Sequence, residues 1–416
     1  MSFDKMTIRD LPLAGKTVLV RADYNVPLSE EGGKQTIHDD YRIVMSLPTV
    51  QYLREQGCKV VLCAHLGRPD GKPDARYSLE PVAQRLADYL HTPVRFVPAC
   101  VGDRVRQAVK GMSPGEVILL ENLRFHAEEE ANDAAFARQL AGSSLADYFV
   151  QDGFGVVHRA HASTEAVTHH LPSVAGLLLE RECSVLGRVA HRPRRPFSVV
   201  LGGAKISDKV QVVEQFIKKA DKVIIGGAMA NNFLAWQGYQ IGKSKFDEEA
   251  VRIVERIMHK LCGEVHDHRM CVQQNEKLLL PLDVAVGAEV SADAQRVNKP
   301  LTDVAADDYI LDVGEATIAA MEKFLEGSAT VLWNGTLGYA EVPAFAAGSA
   351  ALAAWLAGHK DSLESVVGGG DTADFVLRWD AAHGDSFSHV STGGGASLEL
   401  LSGKTLPGVA ALLGKK

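Results

Sequence analysis

Short runs of apolar, mostly β-branched residues recur along the chain, each ending in a polar or glycine-rich stretch and followed by apolar positions at helical spacing. Strands alternating with helices in this way predict parallel sheets covered by helices, an α/β architecture. In the first half the runs are Thr17 to Val20, Lys59 to Cys63, Val117 to Leu120 and Tyr148 to Val150. In the second they are Ser198 to Leu201, Lys222 to Ile225, Tyr309 to Leu311, Thr330 to Leu332, Ser365 to Val367 and Ser388 to Val390. Between them, Ile43, Leu47, Val50 and Leu53 share one helical face, as do Val82, Leu86 and Leu90, and then Val251, Val254, Ile257, Met258 and Leu261. Ten strands are unusual for a single sheet. The segment His191-Arg192-Pro193-Arg194-Arg195-Pro196, whose prolines break a helix, reads as a junction between two lobes.

Composition agrees with two packed lobes and removes other classes. With 416 residues, 46% hydrophobic and 23% charged, the chain can bury a large core and exceeds what one core usually spans. The net charge of −8 argues against an undirected nucleic-acid or anionic-membrane surface, so an anionic ligand must be held locally. Cys58, Cys63, Cys100, Cys183, Cys262 and Cys271 form no CxxC pair or zinc spacing and read as reduced core residues. Charges begin at Asp4 and Lys5, with no signal-peptide pattern and no run long enough to span a membrane, so a soluble cytoplasmic protein is expected.

The chemistry gathers at the strand ends, where open α/β sheets bind ligands. In the first half Arg42, Arg68, Arg124 and Arg159, with His65 and His161, predict a converging cationic pocket for a small polyanion. His158, His169 and His170 carry no such implication. In the second half glycines replace the arginines: Gly202-Gly203-Ala204-Lys205, Gly226-Gly227-Ala228, Asn334-Gly335, Gly368-Gly369-Gly370-Asp371-Thr372 and Gly393-Gly394-Gly395. Such turns let backbone amides approach phosphate closely, and Asp371 is a candidate for magnesium carried by that phosphate. Lys205 and Lys209, four residues apart, could reach phosphate from one helical face. P-loop, complete GxGxxG and protein-kinase signatures are absent.

Read in order, these motifs resemble the phosphoglycerate kinase family nearly end to end. They run from Arg21-Ala22-Asp23-Tyr24-Asn25-Val26-Pro27 through His65-Leu66-Gly67-Arg68-Pro69, Leu120-Glu121-Asn122-Leu123-Arg124-Phe125 and His158-Arg159-Ala160-His161. They continue with Leu201-Gly202-Gly203-Ala204-Lys205-Ile206-Ser207-Asp208-Lys209, Trp333-Asn334-Gly335, Gly368-Gly369-Gly370-Asp371-Thr372 and Ser391-Thr392-Gly393-Gly394-Gly395. The resemblance implies two Rossmann-like lobes, each a mainly parallel sheet flanked by helices, joined by a hinge and a long helix. It implies a lobe over 1–172 with tail 402–416 packed on it, a connecting 173–196, and a nucleotide lobe over 197–401.

By the same resemblance, 3-phosphoglycerate would be held by Asp23, Asn25, Arg42, His65, Leu66, Gly67, Arg68, Arg124, Arg159 and His161. The nucleotide would be held by Gly203, Lys205, Lys209, Gly227, Asn334, Gly338, Glu341, Gly369, Gly370, Asp371 and Thr372, with Asp371 on magnesium. Arg42, Lys205, Lys209, Gly370 and Gly394 would serve catalysis. The implied reaction joins 1,3-bisphosphoglycerate and ADP to 3-phosphoglycerate and ATP, in glycolysis, gluconeogenesis or carbon fixation, by a monomer whose lobes close. The chain departs from the family pattern at Ala228, Glu315, Thr336 and Tyr339, and at Ala99 and Gly153. Alternative readings are another ATP-dependent carboxylate kinase of this fold or a catalytically silent binding protein; Arg42, Lys205, Lys209 and Asp371 argue against the latter.

Overall fold

The structure is a computed structural model describing residues 3–31, 34–204, 209–263 and 267–415. The chain divides into two compact units, Met1–Gly187 with Gly403–Lys416, and Arg188–Ser402.

The first unit is built on a six-stranded parallel sheet. Its order is Val94–Val97, Val117–Leu120, Lys59–Cys63, Thr17–Arg21, Tyr148–Gln151, Ser173–Ala175. Alternate residues of one strand feed two cores: Val18, Val20, Val60 and Leu62 pack on one side, Leu19, Val61 and Cys63 on the other. Helices cover both faces, which is why these strands read as unbroken apolar runs rather than alternating ones. Thr17–Arg21 has the later strand Lys59–Cys63 on one side and Tyr148–Gln151 on the other. The chain therefore reverses its winding there, and a crevice opens at the carboxyl ends of these strands.

The second unit repeats this plan, in the order Leu278–Leu279, Lys222–Ile225, Phe197–Leu201, Thr330–Asn334, Glu364–Gly368, His389–Val390, all parallel. Its switch point lies beside Phe197–Leu201. An antiparallel sheet, Val297–Pro300, Asp283–Gly287 and Tyr309–Val313, stands apart from it. Here the sequence expectation needs correction: Tyr309 to Leu311 belongs to this antiparallel sheet, because a short β-branched run carries no information about strand direction. Val94–Val97 and Ser173–Ala175 are short edge strands with no run of their own in the sequence analysis.

The helix Tyr41–Glu55 buries Ile43, Leu47, Val50 and Leu53, and Glu80–Leu90 buries Val82, Leu86 and Leu90. In Val251–Cys262 the buried residues are Val254, Ile257 and Met258, whereas Val251, at the first turn, is 39% exposed. Cys262 and Cys271 correct a second expectation. They are joined as a disulfide, with Cα atoms 5.9 Å apart, because the last residue of Val251–Cys262 meets the middle of His268–Gln273 across a spacing that matches no motif. The other four cysteines are free thiols.

The helix Leu177–His191 begins on the first unit, where Leu178 donates its backbone N–H to Asp152 Oδ1 at 3.0 Å and Leu177 to Thr49 Oγ1 at 2.9 Å. The division between units falls within this helix. Beyond it, Arg195 pairs with Asp221, and the Pro196 carbonyl accepts from Ala329 at 2.8 Å, so His191 to Pro196 is tied to the second unit. Near the other terminus, Lys5 Nζ donates to the carbonyls of Ala410 and Leu412, and Met6 N–H to that of Leu413. Among the described residues no helix is long and apolar enough to cross a membrane.

Candidate active site

At the switch point of the first unit a cavity of about 230 Å³ is lined by Asn25, His65, Gly67, Arg68, Arg124, Gly155, Val156, His158, Arg159 and His161. Three loops build it, and one buried amide ties two of them. Asn122 Nδ2 donates to the carbonyls of Leu66 and Tyr77 while its Oδ1 accepts from the backbone of Leu66 and Arg124. Arg124 in turn donates to the Gly67 carbonyl at 2.7 Å, and Asn25 Oδ1 accepts from Gly67 N–H at 2.8 Å. Asn25, Leu66 and Gly67 thus shape the loops that carry the cations.

Arg42 and Asp23 do not line this cavity. They form an ion pair beside Gly155, whose missing side chain leaves it room: a Cβ there would lie 2.1 Å from Asp23 Oδ2 and 3.0 Å from Arg42 Nη1, so the pair would have to shift. Arg42 sits in the first turn of Tyr41–Glu55 and Asp23 on the loop after Thr17–Arg21, so the switch point brings together residues from separate parts of the chain.

Sequence reasoning missed the layer beneath. Arg21, Glu129 and Ser163 are fully buried behind the cavity, with Arg21 Nη2 3.2 Å from His65 Nδ1 and 3.9 Å from Glu129 Oε1. The available signal was Arg21 itself, an arginine completing an apolar strand; a buried charge there demands a partner.

Burial holds the His65 imidazole well below its ordinary range, and Arg21, Arg124 and Arg42 add to this. Burial, then Arg21, Arg124 and Arg159, push His161 down to about 4. Both rings are neutral at pH 7 rather than additional cations. A histidine whose folded value is depressed contributes stability present above about 6.5 and lost as pH falls toward 4. Asp152, pushed up to about 7 by burial, acts in the opposite sense, gaining over the same fall. We therefore expect the urea midpoint of His161→Gln to improve relative to the unaltered chain between pH 7 and 5. A pH-independent difference would refute the assignment.

In the second unit a cavity of about 270 Å³ lies at its own switch point. Gly203, Gly227, Gly338, Glu341 and Asp371 line it, with apolar walls from Leu234, Val284, Val290 and Leu311. The walls come partly from the antiparallel sheet, which the sequence did not reveal. Ala228, Thr336 and Tyr339 also line it, whereas Glu315 opens the helix Glu315–Leu325 and accepts from Asn298. Lys209, Asn334, Gly369, Gly370, Thr372 and Gly394 are not among its lining residues. Lys205, with Ile206 to Asp208, lies outside the described residues, so the proposed pairing of Lys205 and Lys209 on one face does too.

The glycine turns work differently from the expectation. Gly203 N–H donates to the Thr336 carbonyl at 2.9 Å and Gly227 N–H to that of Leu337 at 3.0 Å, so these amides stitch three loops together rather than await phosphate. Gly335 N–H is likewise given to Thr372 Oγ1 at 2.7 Å. The first backbone N–H groups of Gly370–Trp379 have no intrahelical acceptors and no side-chain cap. Lys209 Nζ donates to the Gly202 carbonyl at 3.0 Å. Asn334 is fully buried and neither polar atom of its amide has a hydrogen-bond partner, next to Gly368 and Gly369.

The profile of the family described as "Phosphoglycerate kinase" matches residues 8–404. The chain belongs to the phosphoglycerate kinase family. With membership comes the reaction class, phosphoryl transfer to a carboxylate, and the chain is an enzyme. Proteins named phosphoglycerate kinase from Chlorobium chlorochromatii and Moorella thermoacetica are 46% and 47% identical over 411 residues, covering 98% and 99% of this chain and 99% and 100% of theirs. Solved phosphoglycerate kinases from Coxiella burnetii and Pyrococcus horikoshii superpose with a TM-score of 0.80, at 37% and 30% identity, covering 98% of both chains in each case. The two parallel sheets are those of the phosphoglycerate kinase fold.

Proposed function

We propose that the enzyme interconverts 1,3-bisphosphoglycerate plus ADP with 3-phosphoglycerate plus ATP, with magnesium, as a cytoplasmic monomer of central carbon metabolism. The observation that carries this reading is the pair of cavities, one at each switch point: the first walled by Arg68, Arg124 and Arg159, the second by glycines and apolar side chains. A small phosphorylated acid suits the first and a nucleotide the second. On this reading residues 1–172 with the tail form the phosphoglycerate lobe and 197–401 the nucleotide lobe, and transfer requires them to close.

The residue inventory suits the chemistry. A carboxylate with a reference pKa near 4 is already ionised, so the attacking oxygen needs no general base. In the ATP-forming direction the bond between phosphorus and the acyl oxygen breaks as a terminal oxygen of ADP bonds to that phosphorus, leaving a carboxylate. What the protein must supply is alignment and positive charge around the transferred group. In our assignment Arg42, Lys205 and Lys209, with the amides of Gly370 and Gly394, provide it. Asp23, Asn25, His65, Arg68, Arg124, Arg159 and His161 hold the acid, and Glu341 the ribose.

Asp371 is an exposed carboxylate lining the second cavity beside the free helix amides. One carboxylate fits magnesium, which is usually held by one or two carboxylates, phosphate oxygens and water. The ion would neutralise phosphate charge there.

The test is a coupled assay with 3-phosphoglycerate and MgATP, trapping 1,3-bisphosphoglycerate with its dehydrogenase and following NADH loss. Turnover that requires both 3-phosphoglycerate and magnesium is expected. ATP consumption with a different carboxylic acid, and none with 3-phosphoglycerate, would replace this reading with that of an altered carboxylate kinase.

A further inference from the structure

Beneath the cation-lined cavity runs a chain of contacts in which every hydrogen-bond direction is fixed by what each group can do. Arginine only donates. Arg21 Nε therefore gives its proton to Ser163 Oγ at 2.7 Å, and the hydroxyl donates its own proton to Glu129 Oε1 at 2.5 Å, since an ionised carboxylate only accepts. Ser163 N–H donates to the other carboxylate oxygen at 3.0 Å, so both oxygens of Glu129 accept. At the far end Arg21 Nη2 approaches His65 Nδ1 at 3.2 Å, and because it can only donate, Nδ1 must be the bare nitrogen. The ring is then protonated at Nε2, its donor at the cavity that His65 lines. All four residues are buried, Glu129 completely, and Glu129 is not among the cavity's lining residues.

We propose that Glu129, acting through Ser163 and Arg21, is a positioning residue that presents His65 to the anionic substrate as the neutral Nε2–H tautomer. The carboxylate compensates a guanidinium that would otherwise be a buried, uncompensated charge. The serine fixes the plane of the guanidinium fork, and the fork fixes the ring. The Nε2–H of the neutral His65 ring then complements the arginine charges, giving the cavity a directional donor as well as cations. The depressed basicity of the His65 imidazole agrees with this arrangement. The substrate half of the inference rests on the reading of the cavity as the phosphoglycerate site; the tautomer does not.

The test uses the full chain labelled with ¹⁵N and free of ligand. Ring nitrogen shifts are read between pH 6 and 8, with the His65 signals identified by their loss in His65→Gln. In the unaltered protein His65 should show a protonated Nε2 and a bare, hydrogen-bonded Nδ1 throughout. In Glu129→Gln and in Ser163→Ala this acceptor signature should be lost and Nδ1–H should appear. The KM for 3-phosphoglycerate should rise about tenfold in both, with kcat within about threefold and the nucleotide KM unchanged. Ser163→Thr, which keeps the hydroxyl, should restore both readouts. Should Glu129→Gln fail to fold, Ser163→Ala, an uncharged change of one atom, decides the matter. A proton on Nδ1 in the unaltered chain, or an unchanged His65 signature in the folded variants, overturns the proposal. If the unaltered enzyme does not turn over 3-phosphoglycerate, the substrate reading fails, while the ligand-free spectra still decide the tautomer.

Discussion

An Arg42→Met enzyme should fold and bind both ligands, yet turn over about a thousandfold more slowly, a loss of about 4 kcal/mol of transition-state stabilisation. Arg42 stands apart from the cavity-lining arginines. Its Nη1 pairs with Asp23, a buried acid also held by Asn25 N–H at 3.2 Å, while its side chain remains partly exposed. That anchoring sets the guanidinium in one place without burying it, the arrangement wanted for a cation that meets charge only as it spreads over a transferring phosphoryl group. The cavity-lining arginines would bind ground state and transition state alike, so their loss should appear mainly in KM. Steady-state kinetics of Arg42→Met beside Arg68→Met separates the two roles. A kcat within about tenfold of the unaltered enzyme for Arg42→Met would remove it from the catalytic set.

How much of this could be read before folding depends on what distinguishes a residue locally. The strand ends were legible because glycines, arginines and histidines abruptly follow apolar runs there, and the structure places Arg68, Arg124, Arg159, His65 and His161 around one cavity. Glu129 was not legible. It is the middle acid of Ala127–Glu130, and nothing in three consecutive glutamates marks the one that turns inward while Glu130 stays half exposed on Arg124. The walls of the second cavity were hidden for a related reason: Asp283–Gly287 and Tyr309–Val313 pair antiparallel, and pairing partners leave no local trace in a short strand. The glycine turns were correctly located and only half understood. The amides of Gly203, Gly227 and Gly335 proved to be committed to neighbouring loops, a fact that depends on how three strands lie side by side. The cysteines show the same limit, since Cys262 and Cys271 meet through two helices rather than through a motif.

This stitching makes the second large effect specific. Gly227→Ala should cost the nucleotide site about a hundredfold in ADP affinity, about 3 kcal/mol, while leaving 3-phosphoglycerate binding unchanged. Gly227 adopts φ +63°, where an added Cβ would lie 2.6 Å from the Thr336 carbonyl oxygen and 2.7 Å from the Gly203 nitrogen. Both neighbours are backbone, so neither can rotate away, and the loops after three adjacent strands must separate to admit the methyl. Gly327 provides the control. It has φ +75° with nothing within 4 Å of the added atom, so Gly327→Ala carries only the left-handed conformational cost of about 1–2 kcal/mol. The two variants should therefore lose similar stability from backbone conformation, while Gly227→Ala alone loses nucleotide. Calorimetric titration with ADP and, separately, with 3-phosphoglycerate reads both outcomes. Equal ADP affinity in the two variants would mean that the loops tolerate separation and that the cradle is not set by the contacts of Gly203 and Gly227 with Thr336 and Leu337.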